Sequence, residues 1–266
     1  MQDDIITSMT NGQVKLLRSL HERKYRKQTG WFLAEGMRIC REAVSLGHQP
    51  ERLVYAAKRR DEPDTADLIA ACEASGGRAM AVTEDLLARI SRKDNPQMVI
   101  GAFQQAWQSH QVIKPNQDEV WIALDRIRDP GNLGTIMRTA DAVGATGVIL
   151  IDDCTDPYSL EAVRASMGAI FNVRLVRLSS DDFITFAKGW DGHIIGTALQ
   201  ASCDYRTADY AKATIILMGN EQAGLPDDLR DVTTQLIRMP MQGRSDSLNL
   251  AVATGISLYE WLRHRV

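Results

Sequence analysis

Six continuous apolar runs in the second half of the chain limit the folds open to it. They are VWIALD from Val120, GVILID from Gly147, NVRLVRL from Asn172, HIIGTAL from His193, TIILMGN from Thr214 and QLIRMPM from Gln235. A strand with one wet face alternates polar and apolar residues, whereas a run that is apolar throughout is covered on both faces. Helical patterns or loops separate the runs, so the region predicts a parallel sheet with helices on both sides. The final segment, SDSLNLAVATGISLYEWLRH, reads as a helix with Leu248, Val252, Gly255, Tyr259 and Leu262 on one stripe. Its small residues Ala251, Ala253 and Gly255 permit close approach of another element.

The first half is organised differently. GMRICREAVSLG from Gly36 and DTADLIAACEASGG from Asp64 read as helices among short apolar runs (RLVYAA, AMAVT, MVIGAF), which together predict a small α/β domain. Between them and VWIALD the stretch QQAWQSHQVIKPNQDE loses its apolar rhythm and carries Pro115 and Asn116, as a linker does. The expected division is a domain over 1–105, a linker over 106–118 and a second domain over 119–266.

Charge distinguishes the halves as well. The net charge of −3 says nothing for a polyanionic partner. Residues 1–117, however, hold 17 Lys and Arg against 14 Asp and Glu, while residues 118–266 hold 14 against 20. Basic residues gather in KLLRSLHERKYRKQTG, where only Glu22 interrupts Lys15, Arg18, Arg23, Lys24, Arg26 and Lys27. By charge alone the segment is either a solvated helix face or a grip on phosphates through counterion release. No apolar run approaches the length of a membrane span. The start, MQDDIITSMTNGQVK, has neither a cationic head nor an apolar signal core, so a cytoplasmic protein is expected. The four cysteines (40, 72, 154 and 203) form no CxxC pair, and the five histidines show no ligand spacing. Core thiols in a reducing compartment, and no metal, are expected.

In parallel α/β sheets, sites collect at the carboxyl ends of strands, and three loops in such places carry unusual polar residues. RDPGNLGTIMR follows VWIALD, with Asn132 as an N-cap candidate and Arg138 inside the helix. It is no dinucleotide turn: G-x-G-x-x-G is absent, and only Gly131 and Gly134 are present. GNEQAGLPDD follows TIILM, with Gly219 allowing close backbone approach and Asn220 and Glu221 at the strand end. RMPMQGRSDSLNLA breaks its strand at Pro240 and Gly243; Ser245, Asp246 or Ser247 can cap the final helix, which places Asn249 in its first turn.

Together these loops resemble the three ordered motifs of the SpoU (TrmH-like) family of RNA 2′-O-ribose methyltransferases, of the SPOUT class. The residues that carry the resemblance are NLGTIMR from Asn132 to Arg138, GNEQAGL from Gly219 to Leu225, and PMQG from Pro240 with SLN from Ser247 to Asn249. The segment RKYRKQTGWFLAEGMRICREA is similar to the family's N-terminal substrate-binding domain. The resemblance implies a parallel sheet with a deep trefoil knot, preceded by a small α/β RNA-binding domain. It implies S-adenosylmethionine as cofactor, held by Thr197, Gly219, Asn220, Met239 and Leu248. It implies catalytic roles for Arg138, Asn132, Glu221, Ser247 and Asn249, with Glu221 orienting Arg138 or Asn132. It also implies a homodimer in which Arg138 serves the partner's cofactor. RNA contacts are then expected from Lys24, Arg26 and Lys27, and from Arg126 and Arg128 beside the first motif. Ribosomal RNA of the 23S type is the expected substrate, with tRNA the alternative; a catalytically silent RNA-binding or ribosome-assembly factor is the other class. The chain departs from the family at Gln222, where Gly is usual, and at Met239, where Ile is usual.

Overall fold

The computed structural model describes residues 5–92, 97–199, 201 and 203–266. In chain order the elements begin α1 (Gly12–Ser19), α2 (Arg23–Thr29), β1 (Trp31–Glu35), α3 (Met37–Ser45), β2 (Arg52–Ala56), α4 (Pro63–Ala74), β3 (Arg78–Val82), α5 (Glu84–Ser91) and β4 (Val99–Gln104). They continue with β5 (Trp107–Gln108), β6 (Val120–Asp125), α6 (Pro130–Ala142), β7 (Gly147–Ile151), α7 (Leu160–Ser166), β8 (Arg174–Leu178) and α8 (Ser180–Lys188). The rest are β9 (His193–Thr197), β10 (Cys203–Asp204), β11 (Thr214–Met218), α9 (Asp227–Arg230), β12 (Gln235–Arg238) and α10 (Leu250–Arg263). Two compact units result: one of residues 1–105 with 156–172, the other of 106–155 with 173–266.

The first unit is built on a four-stranded sheet in the order β1-β4-β2-β3, with β2 and β3 parallel and the other pairs antiparallel. Its core gathers Val14 and Leu17 from α1, Leu33, Val54 and Ile100 from the sheet, and Leu86, Leu87 and Ile90 from α5. Each of those two helices starts on a side-chain cap, Asn11 for α1 and Thr83 for α5. Residues 156–172 join this unit, which a boundary drawn along the chain does not anticipate. Two charged pairs and an aromatic cluster fasten them. Arg26 donates from Nε and Nη2 to Asp156 Oδ2 (3.0 and 2.7 Å), Arg164 bonds Glu35, and Phe32 packs on Tyr158 and Phe171 with ring centroids 4.8 and 5.6 Å apart.

Arg26 is therefore not one of the phosphate-binding cations. Its side chain is 4% exposed, and Nη1 is also spent on the carbonyls of Leu20 and His21. Its neighbours Lys24 and Lys27 are exposed. The helical pattern alone could not separate the three, because the partner lies 130 residues away.

The second unit is an eight-stranded sheet, wholly parallel, in the order β10-β12-β9-β11-β6-β7-β8-β5. Every residue of β6, β7 and β11 is buried, which is the reason their sequences are apolar without alternation. Trp121, Ile149, Val176, Phe183, Ile194, Ile215 and Leu229 belong to one core cluster. The stretch 106–118, expected as a linker, is part of this unit. Trp107 pairs with Leu175 at the sheet edge, Arg177 lies over the Trp107 ring at 4.0 Å, and Ile113 is buried in the same core. An edge strand followed by a short 3₁₀ turn needs few apolar residues, so its composition resembles that of a loop.

The last helix also turns a different face inward. Leu250, Ala251, Thr254, Ser257, Leu258 and Trp261 are buried, whereas Val252 and Tyr259 of the expected stripe are 52% and 56% exposed. Among the described residues no helix is long and apolar enough to cross a membrane, and no group of His, Cys, Asp or Glu is placed to hold a metal ion. All four cysteines are free; burial pushes the Cys40 thiol up to about 12 and those of Cys72 and Cys154 up to about 11.

Removing one partner of a buried ion pair strands the other charge, at a cost of about 3–5 kcal/mol. Arg26→Ala is expected to lose stability on that scale in urea denaturation. Lys24→Ala, at an exposed position, is expected to stay within about 0.5 kcal/mol of the parent chain.

Candidate active site

The site is assembled from three loops at the carboxyl ends of β6, β11 and β12. The first begins at Asp125, the last residue of β6, whose side chain is wholly buried. Arg126 follows with φ +46° and folds back to form a two-point bond with Asp125, Nε to Oδ1 at 3.0 Å and Nη2 to Oδ2 at 2.9 Å. That bond holds the Arg126 guanidinium more firmly protonated than usual. The N-cap of α6 is Asp129, whose Oδ1 accepts the Asn132 N–H at 2.6 Å, with Pro130 in the first helical position. Asn132, expected as the cap, lies instead in the first turn. Asp129 supplies the cap and Pro130 suits the first helical position, which leaves the Asn132 side chain free to face another loop.

The second loop turns on Gly219 and Asn220. A Cβ at Gly219 would stand 2.3 Å from the Gly224 carbonyl carbon, so no side chain fits where the loop closes on itself. Asn220 and Gly224 exchange backbone hydrogen bonds, and Asn220 Oδ1 accepts the N–H groups of Gln222 and Ala223 at 3.0 Å each. Asn220 Nδ2 donates to the Arg126 carbonyl at 2.8 Å, which fastens the second loop to the first. Glu221 accepts the backbone N–H groups of Arg128 and Asp129 at 3.3–3.4 Å. It thus supports the backbone entering α6 and does not bond Arg138 or Asn132, as had been expected of it. The departure at Gln222 is harmless to the backbone: the positive φ of this loop falls on Gly224 (+68°), and Gln222 has none.

The third loop leads from β12 into α10, whose N-cap is Asn249. Its Oδ1 accepts the N–H groups of Ala251 and Val252 at 2.9 and 3.3 Å. Ser245, Asp246 and Ser247 all precede the cap, and Asn249 is not within the first turn; asparagine is as good an N-cap as serine and poor inside a helix. The same side chain donates from Nδ2 to Asn132 Oδ1 at 2.9 Å. One asparagine therefore starts α10 and ties its end to the start of α6.

A cavity of about 800 Å³ opens among these loops and the end of β9. The expected cofactor residues Thr197, Gly219, Asn220, Met239 and Leu248 all line it. So do Asn132, Glu221, Ser247 and Asn249 from the expected catalytic set. Arg138 does not. It is exposed on α6, without a hydrogen bond or ion pair among the described residues. Arg126 and Arg128 line a second cavity of about 450 Å³, which shares Asn220, Glu221, Gln222 and Ala223 with the first. Sequence reasoning passed over Met218, whose Sδ accepts a hydrogen bond from Thr197 Oγ1 at 3.7 Å, and Arg230 and Arg238, which also line the larger cavity. It also missed Asp129, for which the Asp-Pro pair was the available signal.

Residues 119–259, more than half of the chain, match the SpoU rRNA methylase family, and they contain all three loops. The chain belongs to that family. Residues 11–101 of this SpoU methylase match the MRM3-like substrate binding domain. A crystal structure of an AdoMet-bound rRNA methyltransferase from Sinorhizobium meliloti is 46% identical, with a TM-score of 0.93 and all of both chains covered. The 23S rRNA (guanosine(2553)-2′-O)-methyltransferase RlmP of Bacillus subtilis is 30% identical over 96% of this chain and 97% of its own. The 23S rRNA (uridine(2479)-2′-O)-methyltransferase of Streptomyces viridochromogenes is 31% identical over 93% of this chain and 88% of its own.

The double duty of Asn249 is separable by mutation. Asn249→Ala removes the cap and is expected to cost about 1 kcal/mol of stability. Asn249→Asp keeps the cap but replaces the donor to Asn132 with a second acceptor. The SpoU methylase carrying it is expected to keep its stability within about 0.5 kcal/mol of the parent chain while losing methyl transfer by about a hundredfold or more. Full activity in a stable Asn249→Asp protein would show that the Asn132 bond takes no part.

Proposed function

We propose that this methyltransferase transfers the methyl group of S-adenosylmethionine to a ribose 2′-hydroxyl of ribosomal RNA, as a homodimer in the cytoplasm. The observation that carries the reading is the gathering of three loops, distant in sequence, around one cavity, with Asn132 and Asn249 bonded at its mouth. The cavity suits the cofactor. Its size is within the usual range for a small-molecule site; Leu199, Leu225, Ile237 and Met239 offer apolar wall for an adenine. Glu221 and Asp246 bring negative charge for a sulfonium and an ammonium, and Arg230 and Arg238 positive charge for a carboxylate. Thr197, Gly219, Asn220, Met239 and Leu248 would hold the cofactor, which when bound supplies an electrophilic methyl group. In this reading the loops are those drawn together by a trefoil knot.

The chain's own task is to present a weak nucleophile in line with that methyl. Asn132 and Asn249 form a fixed pair of amides for the ribose hydroxyls, Ser247 stands beside them, and Glu221 keeps the backbone at the start of α6 in place. Arg138 orients the hydroxyl together with an RNA phosphate. A guanidinium keeps its proton under the conditions of such a reaction, so its part is to hold the nucleophile and stabilise charge rather than to accept the proton. Exposed Lys24 and Lys27, and Arg128, contribute phosphate contacts.

The homodimer is supported by what the single chain leaves open. Arg138 is exposed, its side chain unpartnered among the described residues, and Val252 and Tyr259 lie exposed on α10, the helix that packs against α6. A two-fold dimer through this face would bring each Arg138 to the partner's cavity. Such sharing predicts complementation. Arg138→Ala and Asn249→Asp proteins are each expected to fall about a hundredfold or more in rate. Mixed and refolded together, they should recover about a quarter of the parent activity, because half of the dimers are mixed and each of those has one intact site. Absence of recovery would place Arg138 and the cavity in the same chain.

The function itself is tested by mapping ribose methylation in all RNA from cells with and without the gene. One site lost from 23S rRNA is expected. A site lost from tRNA would move the substrate, and no loss at all, with no cofactor-dependent methyl incorporation by the purified protein, would leave a silent RNA-binding factor.

A further inference from the structure

Gln222 occupies a place that the reading above does not use. It lines both cavities, on the wall of residues 220–223 that divides them. Its backbone N–H is already bound by Asn220 Oδ1, and its side chain is exposed, with no hydrogen bond among the described residues. The loop that presents it is fixed at three points: the Asn220–Gly224 backbone pair, Asn220 on the Arg126 carbonyl, and Glu221 on the N–H groups of Arg128 and Asp129. Ala223 beside it is small. A primary amide with a free donor and a free acceptor is thus held on a rigid support between a cavity suited to the cofactor and another edged by Arg126 and Arg128.

We propose that Gln222 reads the base of the nucleotide being methylated, which sits in the smaller cavity with its phosphate toward Arg128. This rests on the RNA-methylation reading and goes beyond it by naming where substrate choice is made. The volume of about 450 Å³ accommodates one nucleotide. Recognition of a particular RNA nucleotide works on unstacked bases through hydrogen bonds to their edges, and a side-chain amide offers a donor and an acceptor side by side for such an edge. Arg126 is held in its ion pair with Asp125, and Asp129 and Glu221 also line the cavity, so the cation left for a phosphate is exposed Arg128, 3.5 Å from Asp153. The chemistry of methyl transfer does not depend on the base, so a residue that reads it should change selectivity more than rate on the best substrate.

The test uses the full-length protein and short transcripts spanning the mapped methylation site, identical except for A, C, G or U at the target. Calorimetry with S-adenosylmethionine alone runs in parallel. The parent enzyme is expected to prefer one base by roughly a hundredfold in kcat/KM. Gln222→Ala should reduce that preference at least tenfold while cofactor affinity stays within about twofold. Gln222→Glu, which presents two acceptors, should shift preference toward guanosine, whose edge offers two adjacent donors. Unchanged ratios among the four transcripts in both active variants would overturn the proposal. So would a parent enzyme indifferent to the target base, or a loss of cofactor affinity that accounts for the whole loss of rate. No methyl incorporation by the parent enzyme into any RNA would overturn the functional reading along with it.

Discussion

All eight strands of the second unit run in one direction, and the arrangement of its polar groups follows from that constraint. In a parallel sheet every carboxyl end faces the same edge, so each strand delivers its following loop to the same place. The order β12-β9-β11-β6 then sets which loops are neighbours. Met218 of β11 is in register with Leu124 of β6, so the residues two further on, Asn220 and Arg126, remain side by side as the strands end. The 2.8 Å bond from Asn220 to the Arg126 carbonyl continues the sheet's own pairing, with a side chain where the ladder has run out. Sheet register thus becomes site geometry without any strained backbone in the second loop.

The polar side chains of the loops chiefly satisfy backbone groups that helix starts and strand ends leave unpaired. The start of α6 is served from two directions: Asp129 takes the Asn132 N–H, and Glu221 takes the N–H groups of Arg128 and Asp129. Both acceptors are carboxylates at the positive end of a helix dipole. Asn249 does for α10 what Asp129 does for α6, and then links the two helix starts through Asn132. Residues read from sequence as chemical are in this sense structural first. Their reactive-looking ends are aimed because their other ends are occupied, which is how a site keeps its geometry before a substrate arrives.

What could be read beforehand, and what could not, divides along the distance between interacting residues. The runs of β6, β7 and β11 were legible as buried parallel strands because burial on both faces leaves its mark within each run, whereas β8 and β12, nearer the sheet edges, keep exposed arginines at Arg174, Arg177 and Arg238. The set Thr197, Gly219, Asn220, Met239 and Leu248, which lines one cavity, was legible only through the resemblance of the three loops to the SpoU motifs. Cap assignment was less so: Asn132 and Asn249 were each displaced from the places given them, since several cap-forming residues stand in a row before both helices and sequence alone does not rank them. Arg26 was illegible in principle, as its partner Asp156 belongs to a later segment that joins the first unit. The helix α10 shows a further limit. Two stripes with helical spacing run along it. The buried one holds Leu250, Leu258 and Trp261 together with Thr254 and Ser257, whose hydroxyls bond carbonyls of their own helix, and Val252 and Tyr259 are left exposed.

That exposure bears on how Arg138 can act. A helix that buries one stripe and still turns Val252 and Tyr259 to solvent offers an apolar patch to a partner. Arg138 lies on α6, against which α10 packs, with no acidic side chain among the described residues bonding its guanidinium. Within one chain it lies outside the cavity, so a role in chemistry there would require a second chain to bring a cavity to it. In the proposed dimer, dimerisation and catalysis would be a single requirement, with the exposed apolar residues of α10 supplying the association and the arginine the charge. On this account the cofactor cavity can be complete in the monomer while the enzyme is not, so cofactor binding and methyl transfer should differ in their dependence on protein concentration.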